Sequence, residues 1–136
     1  MFHPWGILNA LAHIRLSWVS MPDGVPGRTN GRDVIWLDKR LSQVERRCAL
    51  THELIHIEHA HEGCQPPGVE AKVRAEAARR LVRLDHLAKA LSWSSRISFN
   101  ELADELWVTP EVLRDRFANL TEEELLILFK VELQQL

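Results

Sequence analysis

The sequence predicts an α+β domain that is mostly helical, with a small antiparallel β-hairpin near its N-terminus. Three observations carry this. Only Ile14–Val19 and Val34–Leu37 have the alternating, β-branched or aromatic character of strands. Three capping boxes, Ser42-x-x-Glu45, Ser98-x-x-Glu101 and Thr121-x-x-Glu124, each open a helix. From Gln43 onward, Gly and Pro fall only between apolar periodic stretches.

In chain order, Trp5 to about Ala12 reads as a short helix and Ile14–Val19 as a strand. Met21–Gly31, rich in Pro and Gly, reads as a loop, and Val34–Leu37 as a second strand that pairs antiparallel with the first. The box at Ser42 starts a helix running to about Ala60, which Gly63, Pro66, Pro67 and Gly68 terminate. A third helix runs from Val69 to about Leu81 and continues or kinks toward Leu91. Ser98 caps a helix to about Leu106, Thr109-Pro110 opens the next, and Thr121 caps the last. At 136 residues the chain is expected to be one domain, with a core over 1–97 and a helical segment over 98–136.

Composition narrows the class. No apolar run approaches the roughly 20 residues needed to span a bilayer. The N-terminus lacks the pattern of a signal peptide, and Cys48 and Cys64 make no disulfide framework, so the cytoplasm is expected. Residues 69–97 carry 7 basic against 3 acidic side chains, and residues 98–136 carry 3 against 9. That acidic third would repel phosphate, which makes direct nucleic-acid binding by it an unfavourable expectation.

Residues 52–56 read His52-Glu53-Leu54-Ile55-His56. On a helix, positions i and i+4 share a face, so both imidazoles can meet one metal ion, and Glu53 can reach a metal-bound water. The pattern proposes zinc-dependent hydrolysis with Glu53 as general base. Shuffling this composition would produce such a pentad only about 3 times in 100, so chance explains it less well than chemistry does.

Catalytic zinc usually takes three protein ligands. His59, His61, Glu62, Cys64, Glu70, Glu76, Asp85 and His86 are the candidates for the third. Glu70, Val73, Ala77, Leu81 and Leu84 form one stripe that should face the core, whereas Glu76 has Lys72 and Arg80 one turn away on either side. A carboxylate on an apolar stripe is costly to bury unless a cation compensates it, which favours Glu70. His59 reads more simply as an exposed residue at a helix C-terminus. A metzincin is excluded, since that pattern would need Gly at 59 and His or Asp at 62. Cys48 should pack beneath the site, Cys64 is a free thiol, and Trp5, Trp18 and Trp36 fall on elements that should pack together.

Ile35-Trp36-Leu37-Asp38, then Glu45-Arg46-Arg47, then the pentad resemble the ImmA/IrrE family of metallopeptidases, and Glu70-Ala71-Lys72-Val73-Arg74-Ala75-Glu76-Ala77 resembles its Glu-x-x-Ala-x-x-x-Ala helix, with Val73 at the first small position. The likeness runs from about Ile14 to Leu120, including Glu101–Leu113, and is to the short type found in actinobacterial genomes and phages. It implies a minimal zincin-like core built from the hairpin, the HExxH helix, a glutamate helix and a C-terminal helical segment. It also implies a Zn2+ site of His52, His56 and Glu70, with Glu53 as catalytic base. The expected substrate is a protein, a helix-turn-helix repressor whose cleavage switches on a prophage, mobile element or stress regulon. Two departures stand out. Only 13 residues separate His56 from Glu70, and the chain has no Tyr, so His59, His86, an Arg or a backbone N–H must stabilise the oxyanion.

Two other readings compete. Ala103–Leu113 also resembles a helix-turn-helix, which would suit a DNA-binding regulator, although core-completing helices suit its acidic charge better. The fold could also serve as an interaction module with a structural or vestigial metal site. A structural site, however, has no need of Glu53.

Overall fold

The computed structural model describes residues 1–93 and 96–134. Among these, the chain forms α1 (Pro4–Ala10), β1 (Arg15–Val19), a 3-10 turn (Pro22–Gly24), β2 (Gly27–Thr29), β3 (Val34–Asp38), α2 (Gln43–Glu58), α3 (Pro67–Leu81), α4 (Leu84–Trp93), α5 (Phe99–Glu105), α6 (Pro110–Ala118) and α7 (Glu122–Gln134). This is a small, mostly helical α+β domain of the zincin-like kind. No helix among the described residues is long and apolar enough to cross a membrane.

The sheet corrects one expectation. Its order is β1-β3-β2, with β1 parallel to β3 and β2 antiparallel to it. The two strands read from the sequence are therefore neighbours but not a hairpin. The predicted loop holds a third strand, and it is β2 that turns back on β3. Thr29 Oγ1 donates to Val34 O at 2.6 Å, and Asn30 Oδ1 accepts from the backbone N–H of Arg32, Asp33 and Val34. Gly31 supplies the left-handed residue, φ +77°. With one edge of β3 taken by this tight hairpin, β1 pairs on the other, and the residues between Val19 and Val34 are enough for a parallel crossover.

Helix α2 is the central element because it is buried on two sides. Ala49, Leu50 and Leu54 pack with Ile35 and Leu37 of β3. Cys48 and Ile55 pack with Val73, Ala77 and Leu81 of α3 and with Leu102, Leu113 and Leu128 of the C-terminal helices. The Ser42 capping box is formed in full: Ser42 Oγ accepts from Glu45 N, and Glu45 Oε1 accepts from Ser42 N at 2.9 Å. Pro67 at N1 starts α3 two residues earlier than the sequence suggests. The chain breaks at Val82, so α3 and α4 are separate helices.

Two buried arginines tie these layers together. Arg47 donates to Phe2 O, Trp107 O and Leu81 O. Arg116 donates to Val82 O and forms a two-point ion pair with Glu124, which holds α7 to the core. Trp5 stacks on Trp18 with centroids 6.2 Å apart. The elements that carry Trp5, Trp18 and Trp36 do pack together, although Trp18 is in register with Leu37, so the side chain of Trp36 leaves the opposite face of the sheet.

Candidate metal centre

One helix turn of α2 and the first turn of α3 make the site. His52 and His56 lie one turn apart, and Glu70 faces them from α3. The His52 Nε2 atom is 3.0 Å from Glu70 Oε2, His56 Nε2 is 3.1 Å from Glu70 Oε1, and the two Nε2 atoms are 3.2 Å apart. Four ligands at roughly 2.0–2.1 Å around a tetrahedral ion stand about 3.3 Å from one another, so the two imidazole nitrogens and the two oxygens of the Glu70 carboxylate converge closely enough to hold one ion. These are also the one group of three His, Cys, Asp or Glu residues with converging ligand atoms among the described residues.

The protonation states suit the same end. Burial, and secondarily the charge of His56, lowers the pKa of His52, with Glu70 opposing. Burial likewise lowers that of His56. Neutral imidazoles are the form that binds metals. Glu53 is buried beside them, and its carboxyl is pushed up to about 8 by burial and by the charge of Glu70, while Arg28 pulls the other way. A divalent cation in the site would draw this value back down.

The group opens into a cleft of about 900 Å³. Gly27 and Trp36 line its sheet side, Arg74 lies one turn beyond Glu70, and Val112 and Asp115 of α6 form the far wall. A Cβ on Gly27 would come within 2.8 Å of Leu37 Cδ2 and 3.5 Å of Glu53 Cγ, so β2 lies directly over Glu53. The ladder bonds made by Asn30 N and by Pro26 O fix the alternation along β2. The backbone groups of Arg28 thus face β3, and those of Gly27 and Thr29 face the outer edge.

The other candidates supply no atom to the trio, although Cys64 lines the same cleft. Glu76 accepts from Arg80 at 2.7 Å and lies 3.0 Å from His59 Nε2, in a surface network that includes Glu58. His59 is the exposed C-cap of α2. Cys48 is buried, and Cys64 is free and exposed. Asp85 pairs with Arg83. His61 supplies no ligand atom to the trio but touches His56 Nδ1 at 3.0 Å. Helical spacing from His56 could not have found that contact, because the chain leaves α2 before reaching residue 61. Arg74 was findable, as it follows Glu70 by four residues.

A small zincin-like domain with two histidines and a glutamate from consecutive helices around one point is the architecture of a metallopeptidase. The family model of peptidase M78, the IrrE N-terminal-like domain, matches residues 19–123. The chain belongs to that family, of the ImmA/IrrE type, and a metallopeptidase with a metal cofactor and a protein substrate is what membership implies. No curated protein and no solved structure gave a significant match.

Proposed function

We propose that the protein is a zinc-dependent endopeptidase that acts in the cytoplasm and cleaves a cognate helix-turn-helix repressor, releasing a prophage, mobile element or stress regulon from repression. His52, His56 and Glu70 would hold the zinc, and Glu53 would be the catalytic base. The observation that carries this reading is the convergence of His52 Nε2, His56 Nε2 and the Glu70 carboxylate through contacts of 3.0–3.2 Å, with Glu53 buried next to them. Zinc in such a site supplies an activated water and polarises the scissile carbonyl.

The chain's own residues supply the rest. The outer edge of β2 offers Gly27 and Thr29 backbone groups to an extended peptide, which would lie across the cleft as an added strand. Glu53, shielded by Gly27, takes a proton on its carboxylate and passes it to the leaving amine. Arg28 and Arg74 are the arginines lining the cleft. Either could face the substrate carbonyl, and Arg74 is held beside Asp115 at 3.9 Å. We place the residue 98–136 segment in the same unit, since Val112 and Asp115 complete the cleft wall.

The regulator reading fares less well. The second helix of the helix-turn-helix-like pair, α6, turns Glu111, Val112 and Asp115 to the cleft, an acidic lining unsuited to phosphate. The test is incubation of the zinc-loaded protein with the repressor encoded beside it. Cleavage at one bond by the wild type, and none by Glu53→Gln, is expected. An intact repressor bound by both proteins would favour an interaction module instead.

A further inference from the structure

His61 stands behind the proposed metal site, and the backbone goes to some length to put it there. Helix α2 ends at Glu58, and Ala60 adopts a left-handed conformation, φ +53°. A non-glycine residue in that conformation marks a constrained turn. The turn lets His61 N donate to His56 O at 2.9 Å, and it swings the His61 ring back over the helix. From the other side the β2–β3 hairpin closes on the same residue. A Cβ on Gly31 would collide with the carbonyl of His61, so the hairpin backbone rests on it.

Inside this clamp, His61 Nδ1 is 3.0 Å from His56 Nδ1. The other face of the His61 ring stacks on His59, at 5.4 Å and an interplanar angle of 21°. His59 is itself fixed by Glu76, which Arg80 holds together with Glu58. The His56 Nε2 atom is directed at Glu70 and His52, so when it serves as a ligand its ring proton must sit on Nδ1. The acceptor facing that proton among the described residues is His61 Nδ1.

We propose that His61 is a positioning residue for the metal site: it accepts the Nδ1 proton of His56 and so fixes the ring orientation and tautomer of that ligand. Partners of this sort on the non-ligating nitrogen orient metal-bound histidines in general, although a carboxylate or carbonyl usually fills the role. The inference deepens the proposed function and rests on the trio being the zinc ligands.

The test compares wild type, His61→Phe and His61→Asn. Phe keeps a ring to stack on His59 but has no acceptor, whereas the Asn Oδ1 restores one. Zinc affinity is measured by competition with a chelator, and melting of the metal-free proteins is followed in parallel. His61→Phe should weaken zinc binding about 10–100-fold, and His61→Asn should recover most of the loss. Metal-free melting should be alike in all three. In nitrogen-15 spectra of the zinc-loaded proteins, a slowly exchanging His56 Nδ1–H should appear in wild type and His61→Asn and be missing in His61→Phe. Equal affinity in His61→Phe and wild type, or equal weakness in both variants, would overturn the inference while leaving the zinc site standing. So would a loss of affinity matched by a loss of metal-free stability, which would make His61 a packing residue. A wild type that binds no zinc would overturn the site and the inference together.

Discussion

Replacing Arg47 by Met should cost the fold about 2–4 kcal/mol. The side chain is buried, with 5 % of its surface exposed, and no carboxylate among the described residues pairs with it. Its guanidinium instead donates to three carbonyls: Phe2 O at 3.0 and 3.2 Å, Trp107 O at 2.6 Å and Leu81 O at 3.4 Å. These belong to the N-terminal segment, the α5–α6 turn and the end of α3, so one residue of α2 fastens three distant pieces of chain. Trp107 has φ +57°, and its carbonyl is the one held most closely. Met would fill the volume but leave the carbonyls short of donors, at roughly 1–2 kcal/mol for each that water cannot reach. Against this stands relief of the cost of burying the cation, which already lowers the pKa of Arg47. For a chain of this size the balance corresponds to a fall in Tm of about 8–15 °C. Arg47→Lys keeps the charge but not the planar fork, and should recover less than half of the loss. The assay is thermal and urea unfolding of metal-free protein, so that metal linkage does not enter. An Arg47→Met protein that melts within about 3 °C of wild type would refute the reasoning.

Two further outcomes follow from contacts elsewhere. Glu124→Gln should lose about 1–3 kcal/mol at neutral pH, because it leaves the nearly inaccessible Arg116 with a weaker partner. The Arg116 hydrogen bond holds the Glu124 carboxyl below its ordinary 4.5, so the stabilisation is complete above that value and is lost as pH falls through the lower folded pKa. The gap between variant and wild type in unfolding titrations should accordingly close in acid; a constant gap from pH 7 to pH 3 would contradict this. Gly31→Ala should cost about 2–4 kcal/mol, since it adds left-handed strain to a collision with the His61 backbone. A loss below 1 kcal/mol by urea unfolding would mean that the hairpin tip is free to move away.

What the sequence disclosed was local. Capping boxes at Ser42, Ser98 and Thr121 mark helix starts within the residues that form them, and the stripe of Val73, Ala77 and Leu81 marks the buried face of α3. That stripe separated Glu70 from Glu76 because desolvation treats a carboxylate on an apolar face differently from one beside Arg80. The strand pairing was less legible. Gly27-Arg28-Thr29 has no apolar alternation, and β2 exists because Asn30 and Gly31 return the chain onto β3. Once that edge is filled, β1 takes the other, and its parallel direction follows from the long connection through residues 20–33, a long-range consequence that no window of sequence contains. His61 was hidden for a related reason. Its contact with His56 depends on a turn at Ala60, a residue type that does not advertise a left-handed conformation.

The most direct test of the central claim is zinc content. Wild type, Glu70→Gln and Glu76→Gln would be purified without added metal, and bound zinc per chain measured. Near one zinc in wild type and Glu76→Gln, with loss in Glu70→Gln, is the predicted result, since only Glu70 shares the space between His52 and His56. Zinc kept by Glu70→Gln, or no zinc in wild type even after it is supplied, would contradict the account.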